Sequence, residues 1–237
     1  MAVIQLIACP RTLSTALMYS FAQRDDTSVV DEPFYANYLT RTGKDHPAKE
    51  AILSAQSSDL LVPIAAMQSH AKEHMFVKNI AHHLHGLDLD YLLGFKNILY
   101  LRDPRRILTS FAKVMPNPSL LDIGIKVMYE TMLKLQEADK PFLVLNSTDL
   151  LSAPEAMLKT LCSQLGIDFQ ASMLQWPPGP KSYDGVWASY WYKSLHNSSG
   201  FGKENISKDA LPVHLESLCA EATEYYNLIN KHALKID

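Results

Sequence analysis

The chain has 237 residues, of which 47% are hydrophobic and 20% charged, and its formal net charge is −3. A chain of this length buries a large core and needs neither disulfides nor a structural metal to fold. The near-neutral charge excludes a general nucleic-acid or membrane-surface binder, because both need a broad basic field.

The cysteines favour a reducing compartment, and the N-terminal residues argue against secretion or membrane insertion. Cys9, Cys162 and Cys219 are an odd number without CxxC spacing, which argues against a disulfide framework or a zinc site. The first eight residues lack a basic region, and their apolar run is too short for a signal sequence or a membrane span. We therefore predict a cytoplasmic protein with no membrane partner.

Strand-length apolar runs alternate with helix-length segments along the chain. Strands are predicted at Val3–Ala8, Val29–Asp31, Met75–Lys78, Asn97–Arg102 and Phe142–Asn146. Helices are predicted at Ser14–Gln23, Leu60–Lys72, Pro104–Val114, Leu120–Ala138 and Pro154–Leu165, and an amphipathic helix at Leu211–Ile229. The alternation predicts one α/β domain over residues 1–237, with three α/β/α layers and a central parallel sheet.

The segment from Gln175 to Asn205 has a different composition. Prolines and a glycine are followed by an aromatic cluster that includes Trp187, Tyr190 and Trp191. A long irregular segment in a compact domain is a functional loop or a disordered one, and the aromatics favour the former. These aromatics are candidates to line a substrate pocket, with an ordinary core cluster as the alternative.

The loop after the first strand has the features of an anion site. It leads into a helix N-terminus, whose unpaired N–H groups and dipole favour negative charge. Arg11 adds a planar donor fork, and Thr12, Ser14 and Thr15 add hydroxyl groups. The alternative is that Thr12 or Ser14 only caps the helix.

This loop is not a Walker A sequence, which would read GxxxxGK[ST]. The first glycine of the chain is Gly43, so the loop lacks the residues that hold magnesium-bound ATP. A small-molecule kinase, with magnesium held by Asp31 or Asp103, stays open as an alternative function.

A second basic cluster follows the fourth predicted strand. Arg102 ends this strand, a helix begins at Pro104, and Ser110 lies eight residues after the arginine. Ligands of doubly wound sheets bind at the carboxyl ends of the strands, so Arg102 and the Arg11 loop are expected to share a crevice. Two anion sites predict a ligand with two anionic groups.

With both clusters in view, the chain resembles the sulfotransferase superfamily. Its members share a fold like that of P-loop NTPases and transfer a sulfuryl group from 3'-phosphoadenosine 5'-phosphosulfate (PAPS). Residues 10–15 are similar to the motif that holds the 5'-phosphosulfate, with Leu13 where many members have glycine. Arg102 and Ser110 are similar to the pair that holds the 3'-phosphate. The resemblance implies a donor site formed by Arg11, Thr12, Leu13, Ser14, Thr15, Arg102 and Ser110.

More closely, four stretches resemble a bacterial group of sulfotransferase-like proteins, some of which are labelled as relatives of branched-chain aminotransferases. The stretches are Val30–Tyr35, Lys78–His83, Leu101–Pro104 and Asp184–Ala188. No residue pattern suggests an aminotransferase, since pyridoxal phosphate needs a Schiff-base lysine in a much larger fold.

Sulfuryl transfer to an alcohol needs a base at the acceptor and positive charge on the leaving oxygen. Glu32, directly after the second strand, is the first candidate for the base. His82 and His83 are the alternatives, because histidine titrates nearest to neutral pH. Arg11 and Lys78 are the candidates that stabilise the leaving oxygen.

Gly200, Gly202 and Lys203 are similar to the late sulfotransferase loop that closes over the adenosine and the 3'-phosphate, although an ordinary flexible loop fits equally well. Neighbouring histidines fit no familiar ligand spacing, so no metal is expected.

The predicted function is a PAPS-dependent sulfotransferase for a small-molecule hydroxyl acceptor, releasing 3',5'-ADP (PAP). A non-catalytic nucleotide-binding protein of the same fold is a further alternative. A homodimer is expected only because it is the commonest assembly.

Overall fold

The computed structural model describes residues 2–202 and 210–236. Five parallel strands form one sheet in the order β2-β3-β1-β4-β5. The strands are β1 (Ala2–Ala8), β2 (Thr27–Asp31), β3 (His74–Ile80), β4 (Lys96–Leu101) and β5 (Phe142–Asn146). All five predicted strands are confirmed, and only their ends differ.

The strand register places several strand ends at one edge of the sheet. Ala8, the last residue of β1, pairs with Ile80 at the end of β3 and with Tyr100 near the end of β4. Asp31, the last residue of β2, pairs with Lys78 of β3. The loops that follow β1, β2, β3 and β4 therefore leave the sheet on the same side.

Helices cover both faces of the sheet, which confirms the three-layer prediction. The helices are α1 (Ser14–Ala22), α2 (Tyr35–Thr42), α3 (Lys49–Ala55), α4 (Leu61–Gln68), α5 (Pro104–Phe111), α6 (Leu120–Ile123), α7 (Ile125–Glu137), α8 (Ser147–Ser152), α9 (Pro154–Leu165), α10 (Ala188–Trp191), α11 (Lys193–His196) and α12 (Glu216–Asn230). Helices α5, α7 and α12 pack on one face, and α1 and α9 on the other. Because both faces are covered, the core strands are apolar almost throughout.

Three predicted segments differ from the structure. The helix predicted over Leu120–Ala138 breaks at Gly124, which has a left-handed φ of 70° and joins α6 to α7. The helix predicted over Leu60–Lys72 ends at Gln68. The segment predicted as irregular contains the short helices α10 and α11. No helix within residues 2–202 and 210–236 is long and apolar enough to span a bilayer.

We expect Gly124→Ala to lower the free energy of unfolding by about 2 kcal/mol. An alanine in the left-handed backbone conformation costs about 1–2 kcal/mol, and its Cβ would also be crowded by neighbouring atoms. The new Cβ would lie 3.0 Å from both Ala81 Cβ and the backbone nitrogen of His82. Thermal unfolding should show a fall in Tm of roughly 4–8 °C. Gly94→Ala is the control, since no atom lies within 4 Å of its added Cβ. Equal Tm values for the two variants would contradict this account of the break.

Candidate active site

A cavity of about 530 Å³ opens at the carboxyl edge of the sheet. Twelve of the predicted donor-binding and catalytic residues line it, namely Arg11, Leu13, Ser14, Thr15, Glu32, Lys78, His82, His83, Arg102, Ser110, Gly200 and Gly202. The strand register explains the position of ten of these residues, because the loops after β1 to β4 all reach this edge, whereas Gly200 and Gly202 come from the late segment. The volume is in the range of pockets that hold nucleotides or drug-sized ligands.

Two of the predicted donor-binding residues are not placed in the cavity. Thr12 is buried, and its hydroxyl donates a hydrogen bond of 2.7 Å to the carbonyl of Cys9. This corrects the expectation that the Thr12 hydroxyl faces an anion, because the hydroxyl is used to close the loop. Lys203 lies outside the described residues.

The loop before α1 is conformationally strained. Arg11 and Leu13 have φ values of 62° and 66°, in the left-handed region that costs a non-glycine residue about 1–2 kcal/mol. This explains why glycine suits the place of Leu13 in the resembling sequences, since glycine adopts this conformation freely. Leu13 is the N-cap of α1, and no side chain caps the helix. The capping alternative for Thr12 and Ser14 is therefore wrong, and the helix N-terminus faces the cavity uncapped.

The two predicted anion clusters meet in one basic corner, formed by Arg11, Arg102 and Ser110. Arg11 Nε donates to Ser110 Oγ at 3.0 Å, and Arg102 Nη1 donates to the backbone carbonyl of Arg11 at 2.7 Å. Desolvation and the charge of Arg102 both lower the pKa of Arg11. An anion bound here would relieve the repulsion between the two guanidinium groups.

A buried acidic cluster lies at the ends of β2 and β3. It consists of Asp31, Glu32, Lys78 and Tyr192. Lys78 Nζ donates to Asp31 Oδ1 at 2.8 Å, to Glu32 Oε1 at 2.6 Å and to the Tyr192 hydroxyl at 2.6 Å. These contacts use all three N–H bonds of the ammonium group. Lys78 can therefore donate to a leaving oxygen only if one of these hydrogen bonds breaks.

The cluster holds two carboxyl groups against one lysine. Burial raises the pKa of Glu32, the charge of Lys78 opposes this rise, and the charge of Asp31 adds to it. Burial alone would lower the pKa of Lys78, but Asp31 and Glu32 raise it, so the lysine stays protonated. Glu32 is thus the carboxyl group with raised proton affinity, which is the property of a general base near neutral pH.

The geometry of Glu32 leaves one oxygen available to a substrate. Oε1 is bonded to Lys78, whereas Oε2 makes no hydrogen bond to any residue that the structure describes. His83 Nδ1 lies 3.7 Å from Oε2, beyond hydrogen-bond distance. The backbone of Glu32 is left-handed, with a φ of 43°, and strain of this kind clusters at functional sites.

Both candidate histidines are buried, and His83 lies beside Glu32. The His83 ring stacks on Tyr35 with a centroid distance of 4.3 Å. Burial lowers the pKa of His83 well below its ordinary value and the pKa of His82 to about 3. A group with such a low pKa accepts a proton poorly, so Glu32 is the better candidate for the base.

The late aromatic residues have separate positions. Trp191 lines the cavity, Trp187 is buried in the core, and Tyr190 is 59% exposed. The sequence interpretation missed Tyr35, His46 and Tyr192, which also line the cavity. The Gln175–Asn205 segment itself was the only signal for Tyr192, because an irregular segment carries no periodicity that places a side chain.

One group of three metal-ligating side chains occurs within residues 2–202 and 210–236. Asp26, Glu73 and His74 have ligand atoms within 4.8 Å of one another. They lie where β2 and β3 begin, at the edge of the sheet opposite the cavity. The Asp26 carboxylate is paired with Arg24 at 2.7 Å.

A family model described as a sulfotransferase domain matches residues 1–233. The chain belongs to this sulfotransferase family. Two Arabidopsis thaliana proteins named branched-chain-amino-acid aminotransferase-like proteins 1 and 2 are 39% and 37% identical over 97% and 98% of the chain. The matched part is 42% of each relative, so the chain spans about two fifths of their length.

Solved sulfotransferase structures share the fold. The sulfotransferase domain from the curacin biosynthetic pathway is 14% identical, with a TM-score of 0.57 over 94% of this chain and 97% of that one. A sulfotransferase from Alicyclobacillus acidocaldarius is 11% identical, with a TM-score of 0.55 over 99% of this chain and 97% of that one. These structures confirm the predicted fold, and the family model confirms the predicted superfamily.

Glu32→Gln tests the charge state of the acidic cluster. The folded-state pKa of Glu32 is raised, so its contribution to stability is fully present below the unfolded pKa of about 4.3 and is lost as pH rises through the folded pKa. Glutamine cannot ionise. We therefore expect the variant to gain stability relative to the wild type as the pH rises from about 4 to about 8.

Denaturant unfolding at steps across this pH range measures the difference. Glu50→Gln, at an exposed position on α3, is the control and should show no such gain. The free energy of unfolding of Glu32→Gln, relative to that of the wild type, should increase with pH. If it stays constant or decreases, the pKa of Glu32 is not raised.

Proposed function

We propose that the protein transfers a sulfuryl group from PAPS to a hydroxyl group of a small-molecule acceptor. The observation that supports this most directly is that one cavity joins a basic corner to a carboxylate with an unbonded oxygen. The basic corner suits a donor with two anionic groups. The carboxylate suits the removal of a proton from an alcohol.

The residues of the basic corner fit such a donor, which supplies the sulfuryl group. The uncapped N-terminus of α1, with Ser14 and Thr15, presents N–H and hydroxyl donors for a 5'-phosphosulfate. Arg102 and Ser110 would hold the 3'-phosphate. Arg11 reaches from this loop to Ser110, so its guanidinium lies where it can neutralise charge on the leaving phosphate.

The acidic cluster serves the acceptor. Glu32 Oε2 takes the proton of the acceptor hydroxyl, while Lys78, which is itself paired with Asp31, holds the carboxylate in place through Oε1. In this proposal Lys78 acts on Glu32 and not on the leaving oxygen, because its N–H bonds are already engaged. Arg11 is then the residue that stabilises the leaving group.

The structure offers little support for a magnesium-dependent kinase. Asp31 Oδ1 accepts from Lys78, and Asp31 Oδ2 accepts from Tyr192 and from the backbone N–H of Gly185. Asp103 caps α5 by accepting from the backbone N–H of Arg105 at 2.8 Å. Magnesium prefers carboxylate oxygens, and binding here would break these contacts.

We expect PAP to raise the Tm of the protein, whereas 5'-AMP and magnesium-ATP should not. A ligand at a hundred times its Kd adds about 2.7 kcal/mol to the native state, which corresponds to roughly 5–10 °C in Tm. The shift should disappear in Arg102→Ala. It should persist in the control Arg105→Ala, whose guanidinium pairs with Glu216 on the surface. Stabilisation by magnesium-ATP alone would replace the sulfotransferase proposal with the kinase.

A second prediction separates a catalyst from a nucleotide-binding protein without turnover. Glu32→Gln should keep the wild-type Kd for PAP, because Glu32 lies in the acidic cluster and not in the basic corner. Its transfer rate to any alcohol that the wild type sulfates should fall by about 10²–10⁴, the usual contribution of a general base. Calorimetry measures the first quantity and release of PAP the second. An unchanged rate would remove Glu32 from the mechanism.

A further inference from the structure

We propose that Tyr192 is a positioning residue that acts through Asp31 and Lys78 to keep Glu32 in its proton-accepting form. The inference rests on the proposed function, in which Glu32 is the base. The sequence indicated Tyr192 only as a member of the late aromatic segment and assigned it no role. It belongs to the late segment, more than a hundred residues from β3 along the chain.

The Tyr192 hydroxyl sits at the centre of the acidic cluster. It accepts hydrogen bonds from Lys78 Nζ at 2.6 Å and from Trp187 Nε1 at 3.1 Å. It donates to Asp31 Oδ2 at 2.8 Å, and Glu32 Oε1 lies 3.3 Å away. The residue is buried, so water does not replace these contacts. The two accepted bonds orient the single O–H bond toward the carboxyl groups.

This arrangement stabilises the state in which both carboxyl groups are ionised. Asp31 and Glu32 share one lysine in a buried site, so the second negative charge is costly. A donated O–H bond to Asp31 disperses part of that charge. Without the hydroxyl, the Asp31–Glu32 pair would lose its second proton only at a higher pH. Glu32 would then be protonated when an acceptor binds.

The late segment is anchored so that Tyr192 reaches the cluster. The backbone N–H of Gly185 donates to Asp31 Oδ2 at 3.3 Å, and Asp184 accepts from the Tyr19 hydroxyl of α1 at 2.6 Å. A Cβ on Gly185 would lie 2.1 Å from the Trp187 ring, so only glycine allows this packing. Trp187, fixed in this way, holds the Tyr192 hydroxyl by its indole N–H.

The other ionisable groups around the pair are Lys78, Tyr192, Tyr19, Tyr35, His83, Asp184 and His196. Burial raises the pKa of Tyr35 and lowers that of His83, and the two carboxylates raise the pKa of Lys78. His196 pairs with Asp184 at 3.0 Å and faces the Tyr192 ring. Asp184 is the one further carboxyl group among these neighbours, so a measurement specific to carboxyl groups, combined with substitutions that assign the pair, separates the pair from all of them.

Infrared titration of the protonated-carboxyl band provides this measurement and needs neither donor nor acceptor. Glu32→Gln and Asp31→Asn assign the band of the pair. In Tyr192→Phe we expect its apparent pKa to rise by about one unit, the effect of losing a hydrogen bond to a charged group. Tyr190→Phe is the matched control, because Tyr190 is exposed on the same segment, and its titration should equal that of the wild type.

A second variant keeps the test decisive if Tyr192→Phe does not fold. Site-specific replacement of Tyr192 by 3-fluorotyrosine retains the hydroxyl and makes it a stronger donor, so the apparent pKa of the pair should fall. An unchanged titration in either folded variant would overturn the inference. The PAP thermal shift is measured on the same samples. If the wild-type protein does not bind PAP, the proposed function is wrong. The inference about Tyr192 is tested separately, because the infrared titration does not require PAP.

Discussion

The site depends on the hydrogen bonds and ion pairs that the buried ammonium group of Lys78 makes with Asp31, Glu32 and Tyr192. Asp31 and Lys78 are paired in register at the ends of β2 and β3, so the sheet itself brings the carboxylate and the lysine together. Glu32 follows Asp31 in the chain, and Tyr192 arrives from the late segment. Loss of the lysine would leave two buried carboxyl groups without a counter-charge, which costs about 3–5 kcal/mol for a broken buried pair. The Lys78 ammonium group therefore connects the sheet, the candidate base Glu32 and the late segment that carries Tyr192.

Opposite charges coexist in this cavity because separate loops carry them. The basic corner follows β1 and β4, whereas the acidic cluster follows β2 and β3. Three of the five non-glycine residues with positive φ in the described chain, Arg11, Leu13 and Glu32, line this one cavity. Strain at these places is consistent with a site whose geometry is maintained by the surrounding fold at some expense in stability.

The aminotransferase-like names of the two Arabidopsis thaliana relatives describe proteins more than twice the length of the matched part. This chain matches the sulfotransferase family over residues 1–233 and shares the fold of solved sulfotransferases. Among the described residues that line the cavity, Lys78 is the lysine, and its three N–H bonds are all donated within the acidic cluster.

By itself the sequence determined the five strands and their parallel arrangement, because strand-length apolar runs alternate with helix-length segments. It also determined that five residues at or after strand ends would meet at one edge of the sheet, since parallel strands end on the same side. These residues are Arg11, Glu32, Lys78, Arg102 and Ser110. Local pattern could not show the break at Gly124, since a helix and a broken helix have the same apolar period. It could not show that Thr12 points back to Cys9. Only the tertiary structure decided that Lys78 is fully bonded and that Tyr192 completes its cluster, because these contacts join residues far apart in the chain, across a segment without periodicity.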